Sequence, residues 1–84
     1  MTNRDDLKKQ IIYRSNHRGT KEMDLLLGNF VKIHIEKFNE SELKDLDNLI
    51  KIEDDILSKW YFDKPISINI PDNKISKLLK KFKI

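Results

Sequence analysis

No cysteine occurs in the 84 residues. Disulfide staples, thiolate zinc sites and thiol nucleophiles are therefore excluded, and a reducing compartment suits the chain. Glycine and proline number only two each, so little forces a helix to stop. No apolar run approaches the roughly 18 residues that a spanning helix needs. Residues 1–9 are charged and have no apolar stretch of the kind a secretory signal carries. They include Asp5 and Asp6, which a transit peptide avoids. The expected setting is cytoplasmic, or a compartment reached after processing.

What the chain does have is charge, unevenly spread. Residues 1–21 carry six Lys/Arg against two Asp, or +4. Residues 22–63 carry five Lys against eleven acids, or −6. Residues 64–84 carry six Lys against one Asp, or +5. Basic ends and an acidic middle suit a charged protein partner or nucleic acid, and equally suit solvated helix faces.

The periodicity is helical. Residues 4–16 place Leu7 and Ile11 on one face with Ile12 beside them. From residue 20 or 21 to 37, Met23, Leu27, Phe30 and His34 recur every three to four positions, widened by Val31 and Ile35. Leu25 falls on the opposite, solvent side. Gly19, in the break between these helices, is expected to take a left-handed turn or cap. Asn39 reads as an N-cap with Glu42 completing a capping box. Leu43, Leu46, Leu49 and Ile50 follow. Residues 54–62 carry Ile56, Leu57, Trp60 and Tyr61, with Glu53, Asp54 and Asp55 at the dipole-favoured start. In residues 65–71, Ile66, Ile68 and Ile70 alternate with no strand to pair with, which predicts an extended linker pinned by its isoleucines. Asp72 is expected to cap a last helix bearing Ile75, Leu78, Leu79 and Phe82, with lysines on its other faces. The prediction is one all-α domain, a compact bundle of about five short helices spanning residues 1–84.

Catalytic signatures are poor. There is no Gly-rich phosphate loop and no nucleophile elbow, and the serines have no recognisable base. His34 reads as a core-boundary residue and His17 as a polar turn residue able to meet an anion. Neither has a second His at ligand spacing, and the acids do not follow a calcium-loop pattern, so no metal site is expected. The densest polar cluster is Arg14, Arg18, Gly19, Lys21, Glu22 and Asp24. Arg18 presents a fork suited to a carboxylate or phosphate. The alternative is an internal Arg–Glu pair beside ordinary helix-start acids.

The string Tyr13-Arg14-Ser15-Asn16-His17-Arg18-Gly19-Thr20-Lys21-Glu22-Met23-Asp24-Leu25-Leu26-Leu27-Gly28 resembles the FAD assembly factors of succinate dehydrogenase, the SdhE type and its mitochondrial branch. The family hallmark Arg-Gly-x-x-Glu matches Arg18, Gly19 and Glu22. The likeness continues through Asn39-Glu40-Ser41-Glu42-Leu43 and Glu53-Asp54-Asp55-Ile56-Leu57 to Trp60, covering residues 7–62. His17 departs from the family pattern, and residues 65–84 carry no family signal. The resemblance implies a non-enzymatic factor that binds the flavoprotein subunit of succinate dehydrogenase, or of fumarate reductase, and promotes its covalent flavinylation. FAD would end on the partner, with no cofactor held stably here. It implies a monomer in the bacterial cytoplasm or the mitochondrial matrix, with no nucleic-acid partner. Arg14, His17, Arg18, Gly19, Glu22, Asp24 and Leu25 are the expected partner-binding residues, Leu25 as an apolar anchor. Two rival readings are a small basic nucleic-acid-binding domain and a structural module with no flavin connection.

Overall fold

The computed structural model describes residues 3–83, with side chains from residue 5. It is an all-α bundle of five helices: α1 Asn3–Ser15, α2 Lys21–His34, α3 Glu40–Ile50, α4 Asp54–Tyr61 and α5 Lys74–Lys81. A 3-10 turn, Ile35–Lys37, extends α2 in place of the α-helical turns that its periodicity suggests. Tightened last turns of this kind are common where a helix must end against its neighbours.

α2 is the central element. Met23, Leu26, Leu27, Phe30 and Val31 are all buried. Ile11 of α1, Leu43, Leu46, Leu49 and Ile50 of α3, Leu57 of α4, and Ile75 and Leu79 of α5 complete one continuous core. α1 lies against α2 and α3, and α5 against α3. Gly28 is the point of close approach on α2. A Cβ there would stand 2.8 Å from the Asn16 Oδ1 at the end of α1. His34 sits at the core edge, half-buried, with its ring 4.7 Å from that of Phe30 and 5.9 Å from that of Phe38.

Helix starts are fixed by side chains. Asn39 Oδ1 accepts from the Glu42 N–H at 2.8 Å, and Glu42 Oε1 accepts from the Asn39 N–H at 2.9 Å. This is the expected capping box, satisfying two donors that the helix leaves orphaned. Lys74 reaches the other Glu42 oxygen at 2.7 Å and ties α5 to α3. At α5 itself the expected cap is corrected by one residue. Asn73, not Asp72, accepts from the Ser76 N–H at 2.9 Å, and the buried Ser76 hydroxyl accepts from the Asn73 N–H at 3.0 Å. The reciprocal Asn–Ser pair satisfies both groups, whereas Asp72 is left exposed.

Two further expectations are corrected. No described glycine has a positive φ, so Gly19 makes no left-handed turn. That conformation belongs to Asp63, at φ 59. Asp63 ends α4 in a Schellman arrangement, with the Lys64 N–H donating to Lys59 O and the Asp63 N–H to Trp60 O. The 65–71 segment is irregular, as its lack of a pairing strand requires, but its isoleucines do not act alike. Ile70 packs on the core, whereas Ile68 is 45% exposed. α5 is anchored instead by Phe82 against Phe30 and His34. The Tyr61 hydroxyl also donates to Phe82 O, and Lys80 donates to Trp60 O.

Candidate functional site

The cluster between α1 and α2 divides into an inward and an outward set. Arg14, in the last turn of α1, donates to Asp47 Oδ1 of α3 at 2.9 Å. Asp47 is buried, and its second oxygen faces Lys51 at 3.2 Å, so the carboxylate is held on both sides.

Arg18 is turned inward more completely. Its Nε donates to Asp54 Oδ1 at 2.7 Å and its Nη2 lies 2.5 Å from the same oxygen. Nη1 donates to Ile50 O at 2.5 Å and Nη2 to Ile52 O at 3.0 Å. The guanidinium therefore brackets the end of α3, the connector and the start of α4. The Ile50 carbonyl is one that a helix end leaves unpaired. Of the two sequence readings, the internal pair is the one formed, but with Asp54 and not with a Glu. Asp24, half-buried, accepts from the Arg18 backbone N–H at 3.5 Å, the long limit for such a bond.

Gly19 is exposed, and its N–H donates to Asp54 Oδ2 at 2.5 Å. A Cβ on Gly19 would sit 3.2 Å from that oxygen. Glycine is thus suited to this position by close approach to a carboxylate and not by backbone handedness. Thr20 follows as the N-cap of α2, its hydroxyl accepting from the Met23 N–H at 3.3 Å.

The outward set is His17, Glu22 and Leu25. Glu22 is exposed and enters no side-chain bond or ion pair among the described residues. Leu25 is 47% exposed, as its position opposite the apolar stripe predicts. The His17 ring stacks on Tyr13, with centroids 4.0 Å apart, and its Nδ1 lies 2.7 Å from Tyr13 O. Tyr13 is 64% exposed and was not among the residues the sequence singles out as partner-binding. The i, i+4 spacing of Tyr13 and His17 carries the signal, with His17 in the turn just past the end of α1. Beside it, Ile12 opens onto an apolar cleft of about 340 Å³ between α1 and α2, lined also by Gly28, Val31 and Ile35. Among the described residues, Ile12, Tyr13, Leu25 and Ile33 are four of the six large exposed apolar residues, and all lie on α1 and α2.

Among the described residues no group of His, Asp or Glu is arranged to hold a metal ion. No described helix is long and apolar enough to cross a membrane.

The family model described as "flavinator of succinate dehydrogenase" matches residues 9–83, reaching past residue 62, where the legible resemblance stops, into α5. A protein of Acetobacter pasteurianus named "FAD assembly factor SdhE" is 31% identical over 74 residues, 88% of this chain and 65% of its own length. Proteins named "succinate dehydrogenase assembly factor 2, mitochondrial" are similar too. That of Dictyostelium discoideum is 34% identical over 90% of this chain and 52% of its own. That of Saccharomyces cerevisiae is 36% identical over 90% and 48%. The chain thus spans between about half and two-thirds of the length of these relatives. No solved structure matches. With nearly all of its length matched by one family model, the chain belongs to the succinate dehydrogenase flavinator family.

Proposed function

We propose that this chain promotes covalent attachment of FAD to the flavoprotein subunit of succinate dehydrogenase, by docking on that subunit. The observation that carries the reading is the family match across residues 9–83. The relatives' names point the same way: one is an FAD assembly factor and the others are succinate dehydrogenase assembly factors. The outward set supports a contact role. Leu25 and Tyr13 offer apolar anchors, and His17 and Glu22 offer polar ones.

In this reading the chain is not an enzyme. The flavoprotein forms the bond on its own flavin, and the factor holds the reacting histidine and the flavin in register, a proximity effect. FAD ends on the partner and is not retained. The factor acts as a monomer in the bacterial cytoplasm or the mitochondrial matrix, and a fumarate reductase flavoprotein is a second client to test.

A tagged chain co-expressed with the flavoprotein subunit is expected to carry that subunit through affinity purification in a one-to-one complex. Absence of the FAD-free subunit from the eluate, with both proteins soluble, would remove the reading.

A further inference from the structure

The Arg18-Gly19 turn has its receptor 35 residues away, at the first residue of α4. One Asp54 oxygen takes the Arg18 guanidinium and the other takes the Gly19 N–H. A single carboxylate therefore fixes two consecutive residues, and with them the direction in which the chain enters α2. The Arg18 side chain is only 8% exposed and that of Asp54 13%. A partner cannot engage the Arg18 fork without dismantling its bonds to Asp54, Ile50 and Ile52.

We propose that Asp54 is a positioning residue for flavoprotein docking, acting through Arg18 and Gly19 without touching the partner. This rests on the docking reading above. His17 lies immediately before the fixed pair, Glu22 and Leu25 within two turns after it, so a shift at residues 18–19 re-aims all three. An acid is not required at position 54 for the dipole of α4 alone. Glu53 and Asp55 stand beside it, both exposed, and serve that purpose. Nor does a buried ion pair compete well with apolar packing as a source of stability. What the pair supplies is a defined geometry for the turn. Asp54 thus joins Arg18 and Gly19 in one device that works from inside the fold.

The test measures binding to the FAD-free flavoprotein subunit at a temperature where circular dichroism shows every variant folded. Asp54→Asn keeps the shape but removes the charge and turns one oxygen into a donor. Affinity is expected to fall about tenfold, the equivalent of one lost charge-assisted hydrogen bond. Arg18→Gln combined with Asp54→Asn should bind no more weakly than the weaker single variant, because both break one unit. Covalent flavin yield should recover at saturating factor. Amide exchange at Gly19 and Thr20 should quicken in the free Asp54→Asn variant while α2 core amides stay protected, which a global loss of stability would not produce. If Asp54→Asn does not fold, Gly19→Ala carries the same test, since its Cβ crowds the carboxylate at 3.2 Å while leaving both charges in place. Folded Asp54→Asn (or Gly19→Ala in its stead) binding as tightly as the wild type would overturn the proposal. So would losses that add in the double variant, because Arg18 would then be meeting the partner itself. Failure of the wild-type chain to bind would instead remove the docking reading on which the proposal stands.

Discussion

Asp54 closes on Arg18 across 36 positions of sequence, with 2.7 Å between the Arg18 Nε and the Asp54 Oδ1. The pair joins the α1–α2 turn to the α3–α4 junction, and both side chains are largely buried. Replacing Asp54 with Ala leaves the guanidinium buried and without its counter-charge. Breaking a pair of this kind costs about 3–5 kcal/mol, a large share of the stability of so small a domain. Urea unfolding of Asp54→Ala should show that loss in the midpoint. A change under about 1 kcal/mol would mean that the pair is solvated and ordinary.

Leu25 should separate binding from folding. It is half-exposed on the face opposite the core, so Leu25→Asp is expected to leave stability within about 0.5 kcal/mol of the wild type. Affinity for the flavoprotein subunit should fall at least tenfold. Unchanged affinity in a titration would reduce Leu25 to an incidental surface leucine.

Acid should weaken the fold in two windows. Burial among aromatic rings, aided by the Lys37 charge, holds the His34 pKa below its ordinary 6.5. The folded state therefore favours neutral His34, and the unfolded chain takes up the proton first. The stability that this contributes is full above pH 6.5 and declines as pH falls from there through the folded value. Lower down, the hydrogen bond from Lys74, then that from the Asn39 N–H, hold the Glu42 pKa below its ordinary 4.5. That contribution is present above 4.5 and is lost as pH falls through the folded value. Denaturant midpoints at pH 7.5 and 5.5 should differ in the wild type and differ less in His34→Leu. An equal slope in both would remove His34 from the account.

Gly28 sets two effects against each other. Alanine in a helix interior is worth about 1 kcal/mol over glycine, but its Cβ would meet Asn16 Oδ1 at 2.8 Å. Asn16 is exposed and its amide end is free to swing away, at the loss of one hydrogen bond to Ile12 O. Such a bond is worth about as much as the helix gains. Gly28→Ala alone is therefore expected to be close to neutral, whereas adding it to Asn16→Ala should raise stability by about 1 kcal/mol. Thermal or urea unfolding of the three variants decides it. No gain in the Asn16→Ala background would mean that backbone contact, not Asn16, keeps the helices close.

What the sequence discloses is what is local. The apolar spacing of Met23, Leu27 and Phe30, the Asn39–Glu42 box and the exposure of Leu25 each depend on neighbours within a turn or two, and each is found. The Asp72 cap missed by one residue because Asn73 with Ser76 satisfies two groups reciprocally, where Asp72 alone would satisfy one. Gly19 departs from its expected left-handed turn for a different reason. Glycine serves left-handed turns and close approaches alike, and composition does not separate them. The left-handed position went to Asp63, whose carboxylate pairs with Lys80. Arg18 and Asp54 were both visible, one as a fork and one as a helix-start acid. Their meeting depends on how α4 packs against the turn, which no spacing along the chain encodes.

If the proposed function holds, this chain raises covalent flavinylation of its partner. Purified FAD-free flavoprotein subunit is incubated with FAD, with or without the chain. Flavin fluorescence that survives denaturing electrophoresis is then quantified over time. Faster or more complete labelling is expected with the chain present, and a smaller increase with Leu25→Asp at the same concentration. Labelling that is identical with and without the chain would contradict it.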